Sequence, residues 1–173
     1  MRNNMRMIFE FGESRRQGTW MPVDDVVMGG VSASHFRVTS DGLGVFEGTV
    51  SLERGGGFAS VRSTSAPMDL SNFDGLEIRV RGDGKRYRLR LRTSTGFDGV
   101  GYQLTFWTEP GEWQSIRLPF ARFESRLYGR PVPNAPPLDV GAISSFGWLI
   151  ADGQAGPFRL EIAWVGAYTE RSE

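Results

Sequence analysis

The residues with the most chemical potential fall in three short segments. The run Trp20-Met-Pro-Val-Asp24-Asp25-Val-Val-Met28-Gly29-Gly30-Val-Ser32 places two adjacent carboxylates before a Met-Gly-Gly turn and a hydroxyl. Gly55-Gly-Gly57-Phe58-Ala-Ser60-Val-Arg62 brings a guanidinium, and Leu149-Ile-Ala-Asp152-Gly-Gln154-Ala-Gly156-Pro-Phe158 brings a carboxylate and an amide. Two readings follow. In one, the segments converge at a rim as a polar pocket with Trp107 or Trp148 as an apolar floor, suited to a sugar or a protein loop. The candidates for ligand or partner binding are then Asp24, Asp25, Met28, Ser32, Arg62, Trp107, Asp152 and Gln154. A carboxylate-rich turn of this kind also suits Ca²⁺, a hard cation that takes oxygen ligands. In the other, the groups are architecture: Asp24 and Asp25 accept N–H bonds from the Gly-Gly turn, Arg62 forks onto one of them, and Asp152 closes its own turn through Gly153.

Reactive sets are harder to assemble. The chain has no cysteine, so thiolate nucleophiles, thiolate metal sites and disulfides are excluded, and His35 is its only histidine. A site with two or three histidines is thereby excluded as well. Ser32, His35 and Asp24 or Asp25 could be forced into a triad, but Ser32 and His35 would project to opposite faces of a strand and no nucleophile elbow surrounds the serine. No spacing nominates a carboxylate pair for glycoside hydrolysis. Gly42-Leu-Gly44 and Gly55-Gly-Gly57 lack a following helix or a Lys-Ser/Thr, so both read as turns rather than phosphate loops. The expectation is a protein that binds without catalysis and without a cofactor or metal.

A third constellation is basic. Arg79 and Arg81 precede Gly82-Asp-Gly-Lys-Arg86, and Arg88, Arg90 and Arg92 follow it. The glycine-rich link reads as a hairpin turn, which would gather the five arginines on one sheet face. There they pair with Glu47, Glu77 or Glu161 on neighbouring strands, or, if those carboxylates lie elsewhere, form a basic groove for an acidic partner or ligand.

The elements that must position these groups are strands. Glycine, at 23 positions, and proline, at 9, cut the chain into short runs. Between the cuts, apolar residues alternate with polar ones at His35–Thr39, Val45–Leu52, Phe58–Arg62, Leu76–Arg81, Tyr87–Arg92, Tyr102–Trp107, Trp113–Leu118, Phe146–Ala151 and Phe158–Val165. No segment sustains a helical repeat; Ser65–Asn72 is expected to hold one short helical turn with Asp69 or Ser71 as cap. Phe123–Asp139, rich in proline, reads as a long ordered loop. So many short strands with almost no helix require two stacked layers. The fold class is all-β: a two-sheet antiparallel β-sandwich of jelly-roll type, preferred over a closed barrel because the connections are uneven.

The 173 residues fit a single domain, 1–173. Twenty basic residues, nineteen of them Arg, balance twenty acidic ones, so the global charge of a nucleic-acid binder is absent. No apolar run reaches the roughly 20 residues of a membrane span, and the start lacks the apolar core of a secretory signal, so a cytoplasmic protein is expected.

The three segments, together with Arg81-Gly-Asp-Gly-Lys85-Arg-Tyr87 and Gly111-Glu-Trp113…Leu118-Pro-Phe120, closely resemble the complex I intermediate-associated protein 30 family, over about Trp20 to Tyr168. The Asp-Asp-Val-Val-Met-Gly-Gly-Val-Ser run carries most of that likeness. The resemblance implies a galactose-binding-like sandwich similar to carbohydrate-binding modules. It implies a non-catalytic assembly factor, a stand-alone bacterial-type member docking a protein partner among the subunits or assembly intermediates of respiratory complex I (NADH:ubiquinone oxidoreductase). A glycan held as in a carbohydrate-binding module is the alternative.

Overall fold

The computed structural model describes residues 5–12, 19–24, 32–53, 56–94, 100–127 and 130–170. The strands in chain order are β1 (Met5–Glu10), β2 (Trp20–Pro22), β3 (Ala33–Val38), β4 (Gly44–Val50), β5 (Ala59–Met68), β6 (Gly75–Arg81) and β7 (Arg86–Thr93). They continue with β8 (Gly101–Trp107), β9 (Trp113–Pro119), β10 (Glu124–Leu127), β11 (Arg130–Pro131), β12 (Ile143–Ile150) and β13 (Gly156–Tyr168). A 3₁₀ turn spans Phe120–Arg122.

Two antiparallel sheets result. The first runs β3-β4-β13-β6-β9, with β1 extending the β4 side along the last residues of β13. The second runs β11-β10-β8-β7-β12-β5-β2. The alternation explains both layers. In β6, Leu76, Ile78 and Val80 are fully buried, and in β7 so are Tyr87, Leu89 and Leu91. These residues meet Phe46, Leu160 and Ile162 from the first sheet and Val61, Trp148 and Ile150 from the second in one apolar core. The β-sandwich expected from periodicity is the fold observed.

Three local expectations need correction. Gly82–Arg86 is not a hairpin turn: β6 pairs with β13 and β9, whereas β7 pairs with β8 and β12, so the link crosses from one sheet to the other. The crossing is tied down by polar groups. The Asp83 carboxylate accepts from the Tyr87 hydroxyl at 2.8 Å and from the Arg159 N–H at 2.9 Å. Thr108 Oγ1 accepts from Gly84 N–H at 3.0 Å and donates to the Lys85 carbonyl at 2.8 Å. A Cβ on Gly82 would collide with the Thr108 side chain, so any larger residue would force this corner to shift. The short helical turn expected at Ser65–Asn72 is instead the end of β5 followed by a turn in which Asp69 Oδ1 accepts from Ser71 N–H at 2.9 Å. That side chain competes for the backbone donors a helix would use. Lastly, the loop expected at Phe123–Asp139 contributes β10 and β11 to the edge of the second sheet, Pro131 standing in the outermost strand where proline is tolerated.

Candidate functional site

The two outer faces of the sandwich differ in how their arginines are paired. On the first sheet, carboxylates alternate with guanidiniums. Glu47 receives Arg37 Nε at 2.7 Å, His35 Nε2 at 2.8 Å and Arg159 Nη1 at 3.1 Å. Glu161 receives Arg81 Nε at 2.5 Å and Arg159 Nη2 at 2.8 Å, and Arg117 Nε reaches Glu77 at 2.9 Å. Arg37 chiefly holds the Glu47 carboxyl below its ordinary range, as Arg81 does for Glu161. Arg79 and Arg81 also lie over the Trp113 ring, 5.8 and 5.0 Å from its centroid. The pairing expected for the arginines thus holds for Arg81.

Across the sandwich the partners differ: Arg88 pairs with Asp152 rather than with Glu47, Glu77 or Glu161. Because β6 and β7 belong to different sheets, Arg88, Arg90 and Arg92 share the outer face of the second sheet and not that of Arg79 and Arg81. The register builds one row there from distant parts of the chain: Met21, Arg62, Gly147, Arg90, Gln103 and Glu124, each the partner of the next. A depression opens over the middle of this row, lined by Arg62, Arg90, Arg92, Ser145, Gly147 and Leu149 among others. The Arg90 stem lies against the neighbouring glycine, since a Cβ on Gly101 would stand 3.0 Å from its Cδ. Its head donates to the Gln103 amide oxygen from Nε at 3.2 Å and from Nη2 at 3.1 Å. Burial lowers the Arg90 pKa to about 10, helped by the like charges of Arg92, Arg88 and Arg62. Arg92 is lowered too, by burial and then by Arg62. Such a cluster is set to attract an anion.

The candidates taken from sequence separate into three places. Asp24 is a latch between sheets: Oδ2 accepts from Ser34 N–H at 2.9 Å, and Oδ1 accepts from Ser34 Oγ at 2.6 Å and from Ser60 N–H at 2.9 Å. Ser34 lies in β3 and Ser60 in β5, so one carboxylate joins the rims of both layers. Ser32 is buried and its hydroxyl accepts from Ser51 N–H at 2.9 Å, while His35 meets Glu47. These partners replace the triad geometry. Asp25 and Met28 lie outside the described residues.

Asp152 and Gln154 hold a second corner, between β12 and β13. Asp152 adopts φ 66° and its carboxylate pairs with Arg88 and, at 3.8 Å, with Arg86. The Gln154 amide accepts from Arg86 N–H and donates to its carbonyl, both at 2.9 Å, acting as a substitute strand partner for the start of β7. Trp107 pairs across from Arg86 and is 63% exposed. Trp148, the other proposed floor, is wholly buried in the core. Of the described candidates only Arg62 lines the depression. Of the two aspartates expected to receive its fork, Asp24 is taken by Ser34 and Ser60, and Asp25 lies outside the described residues. Among the described residues no three histidine, aspartate or glutamate side chains gather as a metal site. Sequence reasoning missed Gly147, Gln103 and Ser145 as parts of a site. A lone glycine inside an apolar strand, Phe146-Gly147-Trp148, was the available signal, since it marks a place where something approaches the backbone closely.

Comparison with known proteins joins these observations. The sequence pattern of the complex I intermediate-associated protein 30 family matches residues 9–162. The mitochondrial complex I intermediate-associated protein 30 of Mus musculus is 29% identical, over 95% of this chain and 56% of that protein. The one from Drosophila melanogaster is 27% identical, over 92% of this chain and 62% of that protein. The chain therefore spans little more than half the length of these relatives. Among solved structures, the family 11 carbohydrate-binding module from Clostridium thermocellum in complex with a β-1,3-1,4-mixed-linked tetrasaccharide superposes with a TM-score of 0.66 at 16% identity, covering 98% of each chain. That likeness is one of fold. No helix among the described residues is long and apolar enough to cross a membrane.

Proposed function

Because the chain belongs to the complex I intermediate-associated protein 30 family, we propose that it is a non-catalytic domain that docks an acidic protein partner during assembly of respiratory complex I, using the outer face of its second sheet. The observation that carries the reading is the contrast between the faces. On the first sheet Glu47, Glu77 and Glu161 engage Arg37, Arg81, Arg117 and Arg159, whereas among the described residues of the second sheet no ion pair reaches Arg62 or Arg90, and the charges acting on Arg90 are those of other arginines. Charge complementarity of this kind orients a partner and speeds encounter. Met21 and Trp107, each 63% exposed, stand on the same face and supply apolar anchors at its margins.

Capture of the tagged chain from its own host tests the proposal. Recovery of complex I subunits, lost when Arg62→Glu and Arg88→Glu are combined in a chain that still folds, is the expected result. Fully assembled complex I in a deletion strain overturns it.

The second reading, glycan binding, is favoured by one observation, the exposed Trp107 ring beside the polar face. Sugars stack on such rings, and a change in tryptophan emission that is lost in Trp107→Phe reports it, since the chain has four other tryptophans. No change in emission with mixed-linked β-glucan oligosaccharides at millimolar concentration retires this reading.

A further inference from the structure

The first sheet ends at β9, whose edge is the least protected among the described strands. A sheet edge presents unpaired N–H and C=O groups, and proteins blunt it by brevity, proline, a bulge or a covering group. The other edges carry such devices. β2 has three residues, and β11 has two, one of them Pro131. β1 breaks register between Met7 and Phe9, and in β3 the Ser34 N–H is taken by Asp24. By contrast β9 pairs with β6 over all seven of its residues, Trp113 to Pro119, with no shift.

The ladder decides which backbone groups face outward. The Phe120 N–H donates to the Asp74 carbonyl at 3.0 Å, and the Leu118 carbonyl oxygen lies 2.7 Å from where a Cβ on Gly75 would stand. Residues of even number therefore turn their polar groups to β6, and by alternation Trp113, Ser115 and Arg117 turn theirs away from it. Pro119 belongs to the outward series but has no N–H to offer, so it ends the row of donors. The side chains of this series are held over their own sheet. Arg79 and Arg81 lie over the Trp113 ring, and Ser115 Oγ accepts from Arg79 Nη1 at 3.2 Å. Arg117 donates to Glu77 at 2.9 Å and lies 4.3 Å from the Tyr168 ring centroid. Held there, they leave the edge backbone clear.

A second copy of the same edge fits these groups. Paired antiparallel about Ser115, Trp113 faces Arg117 of the second copy and Ser115 faces Ser115, so each outward N–H meets a carbonyl. Centring the pair on Arg117 instead would set two guanidiniums face to face. The charges at the ends of the strand agree with the first arrangement. Exposed Glu109 and Glu112 precede β9 and exposed Arg122 follows it. Among the described residues none of these three is in an ion pair. Antiparallel pairing brings the acidic end of each copy beside the basic end of the other, and a two-fold axis closes the assembly at two chains. We propose that the chain self-associates through β9, two copies joining their first sheets into one continuous antiparallel sheet. The interface uses no residue of the second sheet's arginine face, so the inference goes beyond the docking reading and does not depend on it.

Sedimentation equilibrium of the whole chain, from low to high micromolar concentration, tests this. The mass should rise from 19.3 kDa toward twice that value and stop there. Ser115→Pro removes the N–H on the axis, at a place where an edge strand tolerates proline because that N–H points away from the sheet. It should remain a single chain at every concentration while its far-ultraviolet circular dichroism stays that of the native protein. If Ser115→Pro does not fold, Ser115→Lys, which sets two ammonium groups face to face, is the deciding variant. Arg122→Glu should weaken association several-fold, and Glu109→Arg in the same chain should recover it, a rescue that association through another surface would not give. A constant 19.3 kDa in the native chain, a mass that climbs beyond two copies, a dimer that survives in a folded Ser115 variant, or a charge swap without rescue overturns the proposal.

Discussion

The Asp24 carboxylate collects three donors from two layers, the N–H and hydroxyl of Ser34 and the N–H of Ser60. Hydrogen bonds to a charged acceptor contribute about 1.5–3 kcal/mol each and are not additive when they share that acceptor. Asp24→Ala should therefore lower unfolding stability by about 2–3 kcal/mol, read as a lower urea midpoint with an unchanged slope. Glu47 and Glu161 make a second residue-scale case. Both carboxyls lie below their ordinary value of 4.5 in the folded chain, through Arg37 and Arg81 respectively. A depressed carboxyl contributes stability that is complete above its unfolded value and lost as pH falls through the folded one. The urea midpoint should hold steady down to about pH 5 and decline below it. Glu47→Gln combined with Glu161→Gln should flatten that acid limb and lower the midpoint at neutral pH.

At the scale of elements, period-two alternation states which side of a strand is buried and is silent on which strand lies next to it. Leu76–Arg81 and Tyr87–Arg92 were legible as strands, and their inward residues are the core. Their separation into different sheets was not legible, because a glycine-rich link serves a hairpin and a crossing equally well. The distinction rests on Thr108 and Asp83, remote or ambiguous in sequence, which brace the crossing. The same limit hid the depression: Arg62, Gly147 and Arg90 become neighbours only through the pairing of β5, β12 and β7. β1 escaped notice because its burial depends on the far end of β13, and β10 and β11 because proline punctuation masks an edge hairpin. The Asp24 and Asp152 segments stand out in the sequence as unusual, and in the fold these two residues brace a rim and a corner around the arginine face. The crossing gives its own prediction. Gly82→Ala drives a methyl group into the Thr108 side chain, so it should cost about 1–3 kcal/mol by overpacking, seen as a melting temperature several degrees lower. An unshifted melting curve would mean the corner is looser than its geometry.

Over the whole molecule the formal charge is zero, so any long-range attraction must come from how the charges are distributed. The sandwich separates them. Among the described residues the first outer face carries guanidiniums engaged by Glu47, Glu77 and Glu161, and the second carries an arginine cluster with Asp152 and Glu124 at its edges. Such a distribution has a direction: an acidic partner is drawn more strongly to the second face than to the first. The Debye length shrinks from about 10 Å at 0.1 M salt to about 3 Å at 1 M, which separates guided encounter from contact made through Trp107 and Met21. Capture of a complex I partner should weaken at least tenfold between about 50 and 500 mM salt, on the order expected for a few screened charge contacts, mostly through slower association. Arg117→Glu on the first face should leave capture unchanged, whereas Arg62→Glu should remove most of the salt dependence together with most of the affinity. Binding that ignores salt, or that responds equally to charge reversal on either face, would show that the partner reads apolar surface instead of the arginine face.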